Sequence, residues 1–193
     1  MRESDGKVRK RRTTFNEAGH AHELTFSCYH RLRLLGSDRT RLWLIQALDE
    51  ARRRWAFDLW AYVIMPEHVH VLLLPRRTEY EVAAILKAIK HPVARKAMNY
   101  LRNTAPQAME RFKVARPSGR VEYRFWQQGS GYDRNIVKPK TAWSVVEYIH
   151  NNPVRRSLAD SPTEWSWSSA QWYAGDSDVR LVMDDRPPDP PLG

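Results

Sequence analysis

Two histidines two residues apart, His68 and His70, stand in the run HVHVLLLP, whose β-prone composition predicts a strand. On a strand, side chains two apart share a face, so both imidazoles project together while Val69 turns into the core. Two imidazoles side by side make half of a metal site. The lone Cys28 can form neither an internal disulfide nor a cysteine-based zinc site, so the remaining ligands must be carboxylate, amide or water. Further along, Tyr148 and Asn152 are four apart in a stretch of helical period, which puts them on one face, about a quarter turn from the apolar stripe. A phenol there is a credible nucleophile toward a phosphodiester, forming a covalent intermediate that keeps the bond energy for rejoining. The Asn152 amide oxygen would join the histidines on the same metal. Asn152 precedes Pro153, a position that avoids helical geometry, so His150 is the alternative third ligand, although it points to another side of the helix from Tyr148. Glu67 reads as a supporting residue, and Tyr132 is the next candidate nucleophile. The ordinary fates compete with these readings: paired histidines on strands are often packed or simply exposed, and a single tyrosine usually packs.

The elements that must carry these groups follow from hydrophobic period. HELTFSCY alternates and predicts a first strand; Ser37 or Asp38 then caps a helix with Leu44, Leu48, Ala51 and Trp55 along one face. FDLWAYVIM and HVHVLLLP, broken at Met65-Pro66-Glu67, predict an antiparallel hairpin. Val82, Ile85, Leu86, Ile89 and Val93 mark a second helix, with Pro92 as a point of kinking. A final strand at Val121 to Trp126 would complete the split β-α-β order, giving an α+β, ferredoxin-like antiparallel sheet with helices on one face. KPKTAWSVVEYIHNN is a further helix that packs on the sheet and stops at Pro153.

The net charge of +10, from 32 basic against 22 acidic residues, makes a polyanion the first partner to test. No apolar run approaches the roughly 18 residues that span a bilayer, and the charged N-terminus has no apolar segment after it, so the expected setting is the cytoplasm and not a membrane. Residues 1–19 read as a flexible basic arm, 20–173 as one domain, and 174–193 as an acidic, Pro-rich tail, largely disordered and docking back on the basic surface. The tails oppose in charge: residues 1–12 hold six basic groups against two acidic, and residues 176–193 five acidic against two basic. An acidic tail could therefore compete with nucleic acid for the same Lys and Arg side chains.

Four segments in order, YVIMPEHVHVLLLP, RFWQQGSGYD, YIHNNPVRRSL and WSWSSAQWY, resemble the IS200-type single-tyrosine transposases, and within them the REP-associated branch. The resemblance runs over most of residues 20–173. It implies a metal, Mg²⁺ or Mn²⁺, on His68 and His70, a nucleophile at Tyr148, and a polar residue one turn later, here Asn152, completing the metal shell. Two imidazoles would bind Zn²⁺ more tightly still, so availability decides the ion. The implied activity is cleavage and joining of single-stranded or hairpin DNA through a 5′-phosphotyrosine link, by a monomer or homodimer. For phosphates and unpaired bases the expected contacts are Lys87, Lys90, Arg120, Arg124, Trp126, Arg134, Arg155 and Arg156. Two other readings stand beside it: a non-catalytic nucleic-acid-binding module on the same fold, and a metal-dependent hydrolase whose nucleophile is water.

Overall fold

The computed structural model describes residues 16–129 and 131–189. β1 (Ala21–Ser27) leads through a short turn to α1 (Asp38–Trp55). Ser37 caps that helix, its hydroxyl accepting from the Thr40 N–H, and Asp38 and Arg52 to Arg54 place acid and base at the ends that suit the helix dipole. Ala56, at φ 50°, ends the helix in the left-handed region and turns the chain into β2 (Phe57–Ile64). β3 (His68–Pro75) returns antiparallel to β2, as the sequence predicts. α2 (Val82–Thr104) continues as one helix through Pro92 and is longer than its period implied.

The fourth strand of the sheet lies elsewhere than expected. It is Tyr132–Ile136, which pairs antiparallel with β1, whereas Val121–Tyr123 pairs with Lys113–Ala115 in a separate two-stranded ribbon. We number the ribbon β4 and β5 and the sheet strand β6. β6 escapes a hydrophobicity reading because only Ile136 joins the core; Asp133 pairs with the buried His22, and Tyr132 and Arg134 border a cleft. The resulting order β2-β3-β1-β6, all antiparallel, is the ferredoxin-like arrangement.

Both faces of the sheet are apolar. α1 and α2 cover the face bearing Leu24, Phe26, Tyr62, Ile64, Val69 and Val71. The expectation of helices on one face holds for these two, but α3 (Pro139–His150) takes the other, setting Ala142, Val145, Val146 and Ile149 on Trp60, Val63, Leu72 and Ile136. Among the described residues no helix is long and apolar enough to cross a membrane.

The C-terminal segment also departs from expectation. As far as Asp189 it is a strap across α1, β2 and the tryptophan-rich stretch, with Leu181 and Met183 buried in the main core. Arg52 donates to the Val182 carbonyl at 2.6 Å and to Asp184 at 3.1 Å, and the Asp184 carboxylate accepts the Leu59 N–H at 3.1 Å. The apolar patch at Leu181 to Met183 stands in the sequence, and it docks on the core and not on a basic surface; the fixed task of the Asp184 carboxylate is what the acidic composition concealed. Residues 1–15, most of the basic arm, lie outside the described residues.

Candidate active site

β3 delivers His68 and His70 to the face that α3 covers only in part, their ring centroids 4.8 Å apart. Each ring is oriented through Nδ1. Thr25 Oγ1, directly across the ladder on β1, sits 2.8 Å from His70 Nδ1, and Glu67 Oε1 is 3.1 Å from His68 Nδ1. Glu67 lies in the turn before β3, so its carboxylate folds back to the imidazole instead of pointing to the far side of the sheet; Arg156 donates to it at 2.9 Å. With Nδ1 so engaged, both Nε2 atoms are left for another partner. Burial drives the His70 pKa down to about 3 and lowers that of His68 as well, against the opposing pull of the Glu67 carboxylate. Both rings are therefore neutral near pH 7, the form that binds metal.

α3 begins with Pro139 in its first turn, where the missing N–H costs nothing. After His150 the chain keeps a near-helical Asn151 (φ −80°, ψ −3°) and starts α4 (Asn152–Arg155), so Pro153 again falls in a first turn. The proline therefore does not fray Asn152 away: it is buried, its amide 3.3 Å from His70 Nε2. Turned over, that carboxamide presents its oxygen at the same point. His150 is directed elsewhere, onto Ser169 Oγ at 2.8 Å and the Tyr173 ring. Tyr148 stands edge-on to His70 with centroids 5.4 Å apart, the Arg155 guanidinium lies 5.2 Å from its ring, and 38% of the residue remains exposed.

Together these side chains line a cleft of about 360 Å³ with Thr25, Ser27, Arg31, Arg155 and Arg156. A neighbouring hollow shares Thr25, His70 and Tyr148 and adds Tyr132 and Arg134, the latter paired with Glu23 at 3.1 Å. Among the described residues no three His, Cys, Asp or Glu gather as a metal cluster. A cation would rest on two neutral imidazoles and one amide, with open positions toward the cleft, a donor set suited to a divalent ion that also takes phosphate oxygens.

The eight expected DNA contacts divide. Arg134, Arg155 and Arg156 reach the cleft or its neighbour; Lys90 edges a third hollow beside Thr25 and Ser27, its ammonium donating to the Gly129 carbonyl. Lys87 lies with Trp55 and His91 between α1 and α2, Arg120 closes the ribbon turn, and Arg124 faces Glu122. Trp126 is largely buried, edge-on to Phe26 with its N–H donating to the Lys90 carbonyl, and it lines a shallow hollow on α2 together with Lys87 and Lys90. Thr25 and Arg31 were missed by sequence reasoning. Strand register gives Thr25 only once the β1–β3 pairing is known, and nothing in the sequence marks Arg31.

Residues 17–152 match the family described as IS200-like transposases. A Haemophilus influenzae protein assigned as a REP-associated tyrosine transposase is 24% identical over 139 residues, 68% of this chain and 73% of that one. A solved structure of a REP-associated tyrosine transposase bound to a REP hairpin superposes with a TM-score of 0.66 at 17% identity, covering 96% of this chain and 97% of that one, which shows a common fold.

Proposed function

This chain belongs to the IS200-like transposase family, and on that premise we propose that it cuts and rejoins single-stranded or hairpin DNA with Tyr148 as nucleophile and a divalent cation, Mg²⁺ or Mn²⁺, held by His68, His70 and Asn152. The observation that carries the reading is the meeting, in one cationic cleft, of two neutral imidazoles, an amide and a half-exposed phenol. The solved relative's REP hairpin supports a palindromic hairpin as substrate class, and the surplus of positive charge supports DNA as partner. A cytoplasmic setting belongs to the same proposal.

When bound, the cation would supply Lewis-acid polarisation of the scissile phosphate. The chain supplies the rest. Thr25 and Glu67 hold the two imidazoles by their Nδ1 atoms, so the ligand atoms are fixed before DNA arrives. α3 holds the Tyr148 oxygen at the cleft mouth for in-line attack on phosphorus. The Tyr148 oxygen–phosphorus bond forms as the phosphorus–3′-oxygen bond breaks; the phenol gives up its proton and the departing 3′-oxygen takes one up. The product is a 5′-phosphotyrosine and a free 3′-hydroxyl, and attack by another 3′-hydroxyl reverses the chemistry and joins strands.

Cleavage of a labelled hairpin with Mg²⁺ or Mn²⁺ tests this. His70→Ala and an excess of chelator should each abolish cleavage while hairpin binding survives, because affinity comes mainly from phosphate contacts to Lys and Arg. Full cleavage in chelator would remove the metal from the account.

A further inference from the structure

β1 ends beside His68, since Ser27 is its register partner, and the chain then turns sharply through Tyr29–Arg31. In that turn His30 has φ 50° and Arg31 φ 54°, two consecutive non-glycine residues in the left-handed region, where a side chain costs free energy. The turn is held by bonds from outside and by one of its own. The Tyr29 N–H donates to the Phe125 carbonyl at 2.8 Å, the His30 N–H to Gln127 Oε1 at 3.3 Å, and the Leu32 N–H to the Tyr29 carbonyl at 3.0 Å. Its effect is to send the Arg31 side chain back over the cleft that His68, His70, Tyr148 and Asn152 line.

The neighbouring cations are placed differently. Arg156 is bound to Glu67 at 2.9 Å, and Arg155 lies against the Tyr148 ring. Arg31 reaches Glu67 only at 3.9 Å, and its side chain is 63% exposed. Glu67 does not need it, having Arg156 and His68 as close partners. A strained turn that carries a loosely paired guanidinium to the mouth of a nucleophile's cleft suits an oxyanion.

We propose that Arg31 is a catalytic residue that binds the scissile phosphate, its guanidinium donating to the non-bridging oxygens as Tyr148 attacks. It stays protonated throughout and transfers nothing; its contribution grows as negative charge builds on those oxygens. This rests on the reading of Tyr148 as nucleophile.

Arg31→Gly tests it, because glycine accepts the left-handed backbone at no cost and the fold should not suffer. The variant should melt at or above the parental temperature and bind the hairpin nearly as well, yet cleave about 100-fold more slowly. Guanidinium chloride at non-denaturing concentration should restore part of the rate, whereas sodium chloride at equal ionic strength should not. Arg31→Lys should fall between. Parental cleavage by Arg31→Gly, with Tyr148→Phe inactive, overturns the proposal alone, as does a slow variant that melts lower and ignores guanidinium. If Tyr148→Phe cleaves like the parent, the underlying reading fails first.

Discussion

Glu67 and Thr25 bear no resemblance to each other in sequence context, yet each does the same thing to one histidine, engaging Nδ1 and leaving Nε2 to the cation we propose. Such orienting partners typically govern metal affinity by about 10- to 100-fold. Thr25→Val, nearly isosteric, should therefore weaken Mn²⁺ binding by about that factor, with hairpin affinity in chelator unchanged; isothermal titration with Mn²⁺ reads it directly. Unchanged Mn²⁺ affinity would mean that β3 alone fixes the His70 ring. The histidine pair itself was legible in the sequence because strand parity leaves no freedom: residues two apart must share a face. Helical spacing put Tyr148 and Asn152 together while their roles came from the family resemblance, and the doubt raised by Pro153 over the placement of Asn152 is resolved by where the proline falls, in the first turn of a new helix and not in the last turn of the old one. Arg31 was not legible, because its direction depends on a left-handed backbone that no residue type announces.

The strand β6 was missed because it is the element most shaped by the cleft. Its alternate residues face polar partners, so the apolar alternation that marks a half-buried strand is absent, while Val121 to Tyr123 shows that alternation and yet forms only an exposed ribbon. Gly131 at the head of β6 has φ +79°, and a Cβ there would stand 2.1 Å from the Thr25 carbonyl oxygen. That contact is with backbone and cannot be relieved by a rotamer change. Gly131→Ala should force β1 and β6 apart at the residue that orients His70, lowering stability by about 2 kcal/mol or more and cleavage by a larger factor than stability alone explains. Thermal melting and cleavage of the same preparation check this; a variant that melts and cuts like the parent would show that the sheet edge yields easily. The two helices on one face were readable from their period, and α3 on the other from its own, but which face each took depended on a sheet buried on both sides.

At the scale of the whole molecule, burial disfavours the charged form of three histidines. His150, bound to Ser169, has its pKa lowered to about 4 by burial, His70 to about 3, and His68 is lowered too. An unfolded histidine titrates near 6.5, so between that value and the folded pKa the unfolded chain binds more protons. Stability is therefore whole above pH 6.5 and is lost as pH falls toward 4, by on the order of 3 kcal/mol for His150 alone. Urea denaturation in chelator at stepped pH should show this slope, and His150→Gln, which can keep a hydrogen bond to Ser169, should flatten it. An equal slope in that variant would assign the loss to other groups. The C-terminal strap acts at the same scale. Removing residues 176–193 exposes the sites of Leu181 and Met183 and leaves the Leu59 N–H without its carboxylate, so it should cost about 3–5 kcal/mol, read as a fall in melting temperature. An unchanged melting temperature would return the segment to the role its charge suggests, that of a competitor for DNA.

The claim on which all of this turns is the covalent link at Tyr148. Incubating the protein with a 5′-labelled and a 3′-labelled REP-like hairpin in Mn²⁺, then denaturing and separating, should show label carried on protein only by the fragment lying 3′ of the cut, and peptide mass spectrometry should find the phosphotyrosine at Tyr148. Tyr148→Phe should bind the hairpin and form no adduct. Cleavage without any adduct, or an adduct that persists in Tyr148→Phe, would contradict the account.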